Sequence, residues 1–223
     1  MADSVEAADP GDLVAPPVRH LWHDAAMISD VPVPPVVPAG RLARGPQPVL
    51  ALPCGLELRP WCRDDAGALV AAGRDPGISR WNLLPAESPD EAARRIERMH
   101  ERRRAETSVI WAVARPGGGA AVGLAGWGDV DLHGGSAELV YWLLPAARGA
   151  GVAVEAVRRL TAWAFDDLGL HRLRLCHSVA NPASCRVAAK AGYALEGTMR
   201  GALLHADGWH DQHLHAVVRG DAV

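Results

Sequence analysis

The sequence predicts a mixed α/β domain: a mostly antiparallel sheet flanked by helices. Two observations carry that expectation. From Cys54 onward, short segments of alternating apolar and polar residues take turns with segments of helical periodicity. Glycine, proline or aspartate punctuates nearly every junction between them. Size agrees, since 223 residues with 49% hydrophobic content are enough for one substantial core and a short appendage.

Residues 1–52 stand apart. Pro10, Pro16, Pro17, Pro32, Pro34, Pro35, Pro38, Pro46 and Pro48 exclude long helices and central strands there. This stretch is expected to be a Pro-rich N-terminal extension, partly disordered or serving as a docking arm. Val18–Ile28, with Leu21, Trp22 and Met27, is its one candidate for a short helix. Residues 53–223 are expected to form the main domain.

Within that domain, Leu56 and Leu58 alternate with Glu57 and Arg59 as a strand does. Asp64 and Asp65 can cap a helix running through Ala72 to a stop at Gly73. Ser88-Pro89-Asp90-Glu91 is a capping box with proline at the first helical position. The helix it opens runs to Arg104, with Ala92, Ile96 and Met99 on one face and a basic end that suits the helix dipole.

Strands at Val109–Arg115 and Ala121–Val130 flank the turn Pro116-Gly117-Gly118-Gly119, a hairpin signal. A second turn, Gly134-Gly135, precedes the strand Ala137–Leu144. Val154, Val157, Leu160, Trp163 and Ala164 form the apolar stripe of a helix from Gly151 to Leu168, which Gly169 ends. The remainder gives a strand at Arg172–Val179, a helix at Pro182–Ala191, and strands at Tyr193–Met199 and Trp209–Val218.

Composition narrows function. A net charge of -3 offers no global basic field for a nucleic acid. No apolar stretch is long and unbroken enough to span a bilayer, and the acidic start, with Asp3 and Glu6, lacks the form of a secretory signal. Cys54, Cys62, Cys176 and Cys185 show neither CxxC spacing nor disulfide density, so free thiols in the cytoplasm are expected.

The most informative segment is Pro145-Ala146-Ala147-Arg148-Gly149-Ala150-Gly151-Val152-Ala153, between a strand and a helix. Small residues leave backbone N–H groups uncovered at a positive helix end, which suits a phosphate or pyrophosphate, and Arg148 can clamp one phosphate. Gly149 and Gly151 are followed by Val154 where a dinucleotide fingerprint needs glycine or alanine, and no Gly-Lys-Ser/Thr triplet is present. The pattern present is R-x-x-G-x-A, from Arg148 through Gly151 to Ala153.

With that loop, the chain resembles the GCN5-related N-acetyltransferase (GNAT) superfamily, in its RimJ/RimL-type branch. Four segments in order carry the resemblance over residues 54–220: LELRPWCRDDAGAL, ISRW, AELVYWLLPAARGAGVAVEAVRRLTAWAF and HRLRLCHSVANPASCRVAAKAGYALEGTMR. It implies a GNAT fold whose central strands splay at a bulge, with acetyl-CoA as acyl donor and no metal. Pantetheine would pair with the backbone near Tyr141, Trp142 and Leu143. The amides of Gly149, Ala150, Gly151, Val152, Ala153 and Val154 would take the pyrophosphate. ISRW would form an acceptor-side loop.

The chemistry needs a proton acceptor for the amine and a donor for the leaving thiolate. Glu138, beside the expected bulge, is the candidate base, provided burial raises its basicity. The tyrosine that the family often places seven residues beyond Asn181 is replaced by Ala188. Ser184, in the N-x-x-S pattern, is therefore the candidate hydrogen-bond donor to the thiolate, and Tyr141 is a third possible donor. Asn181 can cap its helix, reach the pantetheine arm, or do both.

Trp81, Trp127 and Trp209 are candidate walls of an acceptor cleft, and Asp129, Asp131 and Glu138 a candidate source of negative potential at its mouth. His213 and His215 share one strand face at ligand spacing, yet with no cysteine nearby in sequence no metal is expected. The expected function is transfer of an acetyl group from acetyl-CoA to a primary amine, on a peptide, a protein N-terminus or a small molecule, by direct attack in a ternary complex. A longer acyl-CoA, a carrier-protein thioester and a non-catalytic CoA-binding module are the alternatives. The expected partners are a CoA thioester and the amine, without nucleic acid or membrane, and a homodimer is compatible with the sequence.

Overall fold

The structure, a computed structural model, describes residues 33–82, 84, 85 and 88–221. The helix expected at Val18–Ile28 lies outside them. Eight strands form one sheet: β1 (Leu50–Ala51), β2 (Glu57–Pro60), β3 (Val109–Ala114), β4 (Ala121–Asp131), β5 (Ser136–Leu143), β6 (Arg172–Ser178), β7 (Ala194–His205) and β8 (Gly208–Val218). Their order across the sheet is β1-β2-β3-β4-β5-β6-β8-β7, and each neighbouring pair is antiparallel except β5–β6. The helices are α1 (Ala66–Arg74), α2 (Pro76–Asn82), α3 (Pro89–Arg104), α4 (Val152–Ala162) and α5 (Pro182–Lys190).

Strand alternation divides the core between two faces. Val109, Trp111 and Val113 of β3 pack with α4 residues Val157 and Leu160. The intervening Ile110 and Ala112 pack with α1 and α3 through Leu69, Ala92 and Ile96. Trp111, Trp127 and Trp163 meet on the first face with ring centroids 5.3–5.7 Å apart, which fixes α4 against the sheet centre. Trp127 is therefore core and does not wall a cleft.

Several elements depart from expectation for identifiable reasons. The carboxylate of Asp65 does not cap α1: it accepts two bonds from Arg59, at 2.7 and 2.8 Å, and one from the Cys62 amide. Burial alone would raise that carboxyl; Arg59 and Cys62 outweigh it and hold it below the ordinary carboxylate value. ISRW is not a loop but part of α2, where Pro76 sits at the first helical position behind Asp75. β7 runs to His205 because the two-residue Ala206-Asp207 turn returns it directly into β8 at Gly208.

Part of the Pro-rich stretch also belongs to the core. Val37, Leu42, Leu50 and Leu52 are buried in the first-face cluster, and Leu50 and Ala51 pair with Leu58 and Glu57. Glu106, at the end of α3, accepts bonds from the amides of Gly40, Leu42 and Ala43 at 2.6–3.0 Å. A carboxylate bound by three amides pins this segment where sequence periodicity had no signal to give.

The feature that makes room for a site is the β5–β6 contact. The two strands pair only through Ser136–Glu138 and Arg172–Arg174, and then part. Beyond Glu138 the edge of β5 that faces β6 has no strand partner among the described residues, although its other edge stays paired to β4 as far as Leu143. Gly123 on β4 permits that register, since a Cβ there would lie 2.6 Å from the Trp142 carbonyl oxygen. The splay expected of the central strands is present.

Candidate functional site

The gap between β5 and β6 opens into a cleft of about 660 Å³, within the range usual for small-ligand sites. Its walls are Leu139–Leu143 of β5, Cys176–Ser178 of β6, the start of α4, and α5; α2 and β7 close its far end.

At the near end the chain leaves β5 through a 3-10 turn, Pro145–Ala147, and reaches α4 through two left-handed glycines, Gly149 (φ 85°) and Gly151 (φ 79°). A Cβ on either would meet nothing within 4 Å, so backbone conformation, not space, demands glycine here. Glu155 N–H closes the first turn of α4 onto the Gly151 carbonyl. The amides before it have no partner inside the helix, and Gly149, Gly151, Val152, Ala153 and Val154 all line the cleft. Ala150 lies between the two glycines and is not among the lining residues.

Arg148 is held differently from a free phosphate clamp. Its Nε donates to the Leu143 carbonyl at 2.9 Å and its guanidinium pairs with Asp75 at 2.7 Å. In this arrangement it ties the glycine turn to the α1–α2 junction. Two cations that the sequence alone did not single out, Arg186 and Lys190 of α5, also line the cleft. Helical spacing shows that they share a face, but only the fold shows which cavity that face borders.

Midway along the cleft, Tyr141 and Ser184 meet. Their hydroxyls share a hydrogen bond of 2.8 Å, and burial, against the pull of Ser184, pushes the Tyr141 phenol up to about 12. Ala188 is fully buried and lies away from the cleft wall, so the phenol missing at that position has a counterpart arriving from β5. Asn181 Oδ1 accepts from the Ser184 amide at 3.2 Å, the helix cap, and Asn181 also borders the cleft. Trp142 packs its ring on Trp61 at 6.2 Å, in a cluster with Ile78, and also borders the cleft.

Glu138 stands at the point of divergence and lines the cleft, but it is not in an apolar surround. Arg174 Nε donates to it at 2.8 Å, and the same guanidinium pairs with Asp129 at 3.0 Å. Asp131 accepts from the Gly134 amide within its own turn. The three acids proposed to charge the acceptor mouth are thus largely spent on local partners.

The far end is formed by Ile78, Trp81 and Asn82 of α2 with Leu203, Leu204 and His205 of β7. Trp81 packs edge-on against His205 at 5.7 Å and carries the Arg80 guanidinium over its ring at 4.7 Å. Trp209 is exposed and takes no part in the cleft wall. Nearby, Asp207 can only accept, so His210 Nε2 donates to it at 2.9 Å; in the neutral ring Nδ1 then accepts from Ser178 Oγ at 2.7 Å, and that Oγ also accepts from the Ala180 amide. This hydroxyl–imidazole–carboxylate chain runs from the cleft wall to the surface, and no spacing rule in the sequence reveals it.

Cys176 also lines the cleft. Burial, and then the negative charge of Glu138, push its thiol up to about 11, so at neutral pH it is a thiol and not a nucleophilic thiolate.

Comparisons with known proteins agree with this geometry. The family model described as "Acetyltransferase (GNAT) domain" matches residues 55–194. The putative ribosomal N-acetyltransferase YdaF of Bacillus subtilis is 32% identical over 41% of this chain and 50% of its own length. The ribosomal-protein-serine acetyltransferase of Escherichia coli is 28% identical over 43% of this chain and 53% of its own length. The alignments thus span about half the length of these two relatives. Among solved structures, RimL, a ribosomal L7/L12 alpha-N-protein acetyltransferase in complex with coenzyme A, superimposes with a TM-score of 0.71 at 18% identity, over 77% of this chain and 98% of its own. Mycobacterium smegmatis RimJ in complex with CoA-disulfide gives a TM-score of 0.66 at 23% identity, over 77% and 86%. At such identities the likeness is one of fold.

Proposed function

The chain belongs to the GNAT acetyltransferase family, and we propose on that premise that it moves an acetyl group from acetyl-CoA to the α-amine of a peptide or protein N-terminus in the cytoplasm. The observation that carries this is one continuous cleft. It joins a glycine turn with free helix-end amides to a hydroxyl pair and then to an aromatic-walled opening. An anionic diphosphate, a thioester and an amine are the three chemistries those stations suit, in that order.

The unpaired edge of β5 at Leu139–Leu143 supplies N–H and C=O groups for the amides of a pantetheine arm. The amides of Gly149–Val154 hold the diphosphate, with Arg186 and Lys190 adding positive charge. The incoming amine nitrogen bonds to the thioester carbon and the carbon–sulfur bond breaks. The departing thiolate accepts a hydrogen bond from the Tyr141–Ser184 pair and takes up a proton. Direct transfer is favoured over an acyl-cysteine intermediate because Cys176 is held protonated.

The amine must shed a proton. Glu138 can take it through water, with Arg174 holding its carboxylate in place. The Ser178–His210–Asp207 chain, which reaches the cleft wall at Ser178, is a second acceptor. A protein terminus is preferred as acceptor because the names of the relatives given above point to ribosomal proteins.

The test is mass spectrometry of the purified full chain incubated with acetyl-CoA, a panel of peptides with free or blocked N-termini, and small amines. One acetyl group added at free peptide N-termini, and none at blocked ones, is the expected result. Acetylation of small amines alone would overturn the acceptor assignment. No acetylated product from any amine, with CoA still bound, would overturn the catalytic one.

A further inference from the structure

Beside the acyl-transfer cleft, which His177 borders, the face of the sheet beneath α5 carries an unusual group. His177 of β6 and His213 of β8 are cross-strand partners, and His215 lies two residues further along the same face of β8. Cys185 comes down from α5, placing its sulfur 3.9 Å from His215 Nε2. One donor atom from each of the four lies within 4.8 Å of every other. Sequence distance hid this: the nearest of the histidines to Cys185 is eight residues away, and the helix must fold over the strands to bring the sulfur in.

Hydrogen bonds among these groups do not account for the cluster. His177 Nε2 and His213 Nδ1 are buried with no partner among the described residues, an arrangement that is costly if left unsatisfied. Two other ring nitrogens of the cluster face carbonyls. His177 Nδ1 lies 2.8 Å from the Ser178 carbonyl and His215 Nδ1 3.4 Å from the Tyr193 carbonyl. A carbonyl only accepts, so both rings carry hydrogen on Nδ1 and turn the Nε2 lone pair inward. That is the outer arrangement that metal-ligating histidines show.

We propose that His177, Cys185, His213 and His215 bind one zinc ion in a closed tetrahedral site. Three imidazoles and a thiolate are a donor set suited to Zn²⁺, and all four positions are filled by protein, as in structural sites. Tetrahedral ligation with Zn–N of about 2.0–2.1 Å and Zn–S of about 2.3 Å needs donors roughly 3.3–3.6 Å apart. The cluster reaches that by side-chain rotation that closes its widest separation. On binding, the Cys185 thiol gives up its proton and the thiolate sulfur forms the bond to zinc, with no change of oxidation state. The ion cross-links α5 to β6 and β8, and Ser184 is the residue beside Cys185. Zinc is thus a brace for the helix that carries Ser184 and Asn181, not a participant in acyl transfer, and the proposal stands whether or not the acyl-transfer assignment does.

The full chain, free of any histidine tag, is loaded with ZnCl2, dialysed, and analysed for metal and protein together. About one zinc per chain is expected, with Cys185 protected from alkylation while Cys54 and Cys62 react. Cobalt(II) should replace it and show a thiolate-to-cobalt charge-transfer band with the strong visible bands of a tetrahedral site. Cys185→Ser should abolish the charge-transfer band, and His213→Ala should reduce bound zinc at least tenfold; Cys176→Ser should change neither. Alkylation and cobalt spectra of the unmutated chain decide the matter even where a variant fails to fold. Zinc at background level in the wild type, or full zinc and cobalt signals surviving in Cys185→Ser, would overturn the site.

Discussion

Replacing Gly151 by valine is expected to weaken CoA binding by about 100-fold while leaving the fold intact. Gly151 caps α4 at φ 79°, a conformation that costs an L-residue about 1–2 kcal/mol, with a β-branched side chain at the unfavourable end. The chain relieves that strain by rotating the peptide, and the rotation carries the amides of Val152 and Ala153 away from the diphosphate. A charge-assisted hydrogen bond is worth about 1.5–3 kcal/mol. Two such bonds lost, each at the lower end of that range, come to roughly 3 kcal/mol, or two decades at about 1.4 kcal/mol per decade. Calorimetry at fixed ionic strength measures it. Gly117→Val is the control, because Gly117 has φ 73° in a distant hairpin turn and carries similar strain with no ligand to lose. CoA affinity changed less than threefold in Gly151→Val, or equally in both variants, would remove the glycine turn from the binding site.

Tyr141→Phe and Ser184→Ala are each expected to lower kcat about 30-fold, with KM for acetyl-CoA nearly unchanged. The hydrogen bond in question forms to charge that develops only as the thiolate leaves, so its loss appears in kcat. A bond to a charged acceptor contributes about 1.5–3 kcal/mol, and 30-fold is about 2 kcal/mol. Because the two hydroxyls are bonded to one another, they act as a unit, and the double variant should be little worse than either single one. Burial pushes the Tyr141 phenol up to about 12, well above the ordinary thiol value of about 8.5. Tyr141 accordingly donates a hydrogen bond and does not surrender its proton, and water completes protonation of the thiolate. The sign for pH follows: the phenol is raised, its donor form persists through neutral and mildly alkaline solution, and it is lost only as pH climbs through about 12. Stopped-flow release of thiol across pH 7–10 checks this, since a kcat that declines there in wild type but not in Tyr141→Phe would contradict it.

The elements most legible in the sequence were those whose cause is local. α3 begins at its capping box, with Ser88 and Glu91 exchanging bonds as the pattern requires, and the 109–131 hairpin follows its glycine turn. The glycine turn before α4 was recognisable because left-handed backbone and uncovered amides are properties of residue type. What the sequence concealed depended on partners far along the chain. Asp65 looked like a helix cap until Arg59 claimed it, and the pairing of Glu138 with Arg174 had no sign in the sequence. Arg148 looked like a phosphate clamp, yet Asp75 and the Leu143 carbonyl hold it. These partners share one origin: a charged side chain has many local uses, and its choice is settled by which opposite charge folding brings near. The Tyr141–Ser184 pair and the full histidine–cysteine cluster were hidden for the complementary reason: beyond the His213–His215 spacing on β8, their members sit on different elements that only the fold brings together.

The most direct measurement is amide hydrogen exchange of the full chain with and without CoA, read by mass spectrometry at peptide resolution. Binding in the gap between β5 and β6 predicts that exchange slows at two places together, the turn of residues 149–154 and the open strand edge of residues 139–143, while β7 and β8 near Trp209 stay unchanged. Undiminished exchange at the 149–154 turn under saturating CoA, with protection appearing elsewhere, would contradict a diphosphate seated at the start of α4.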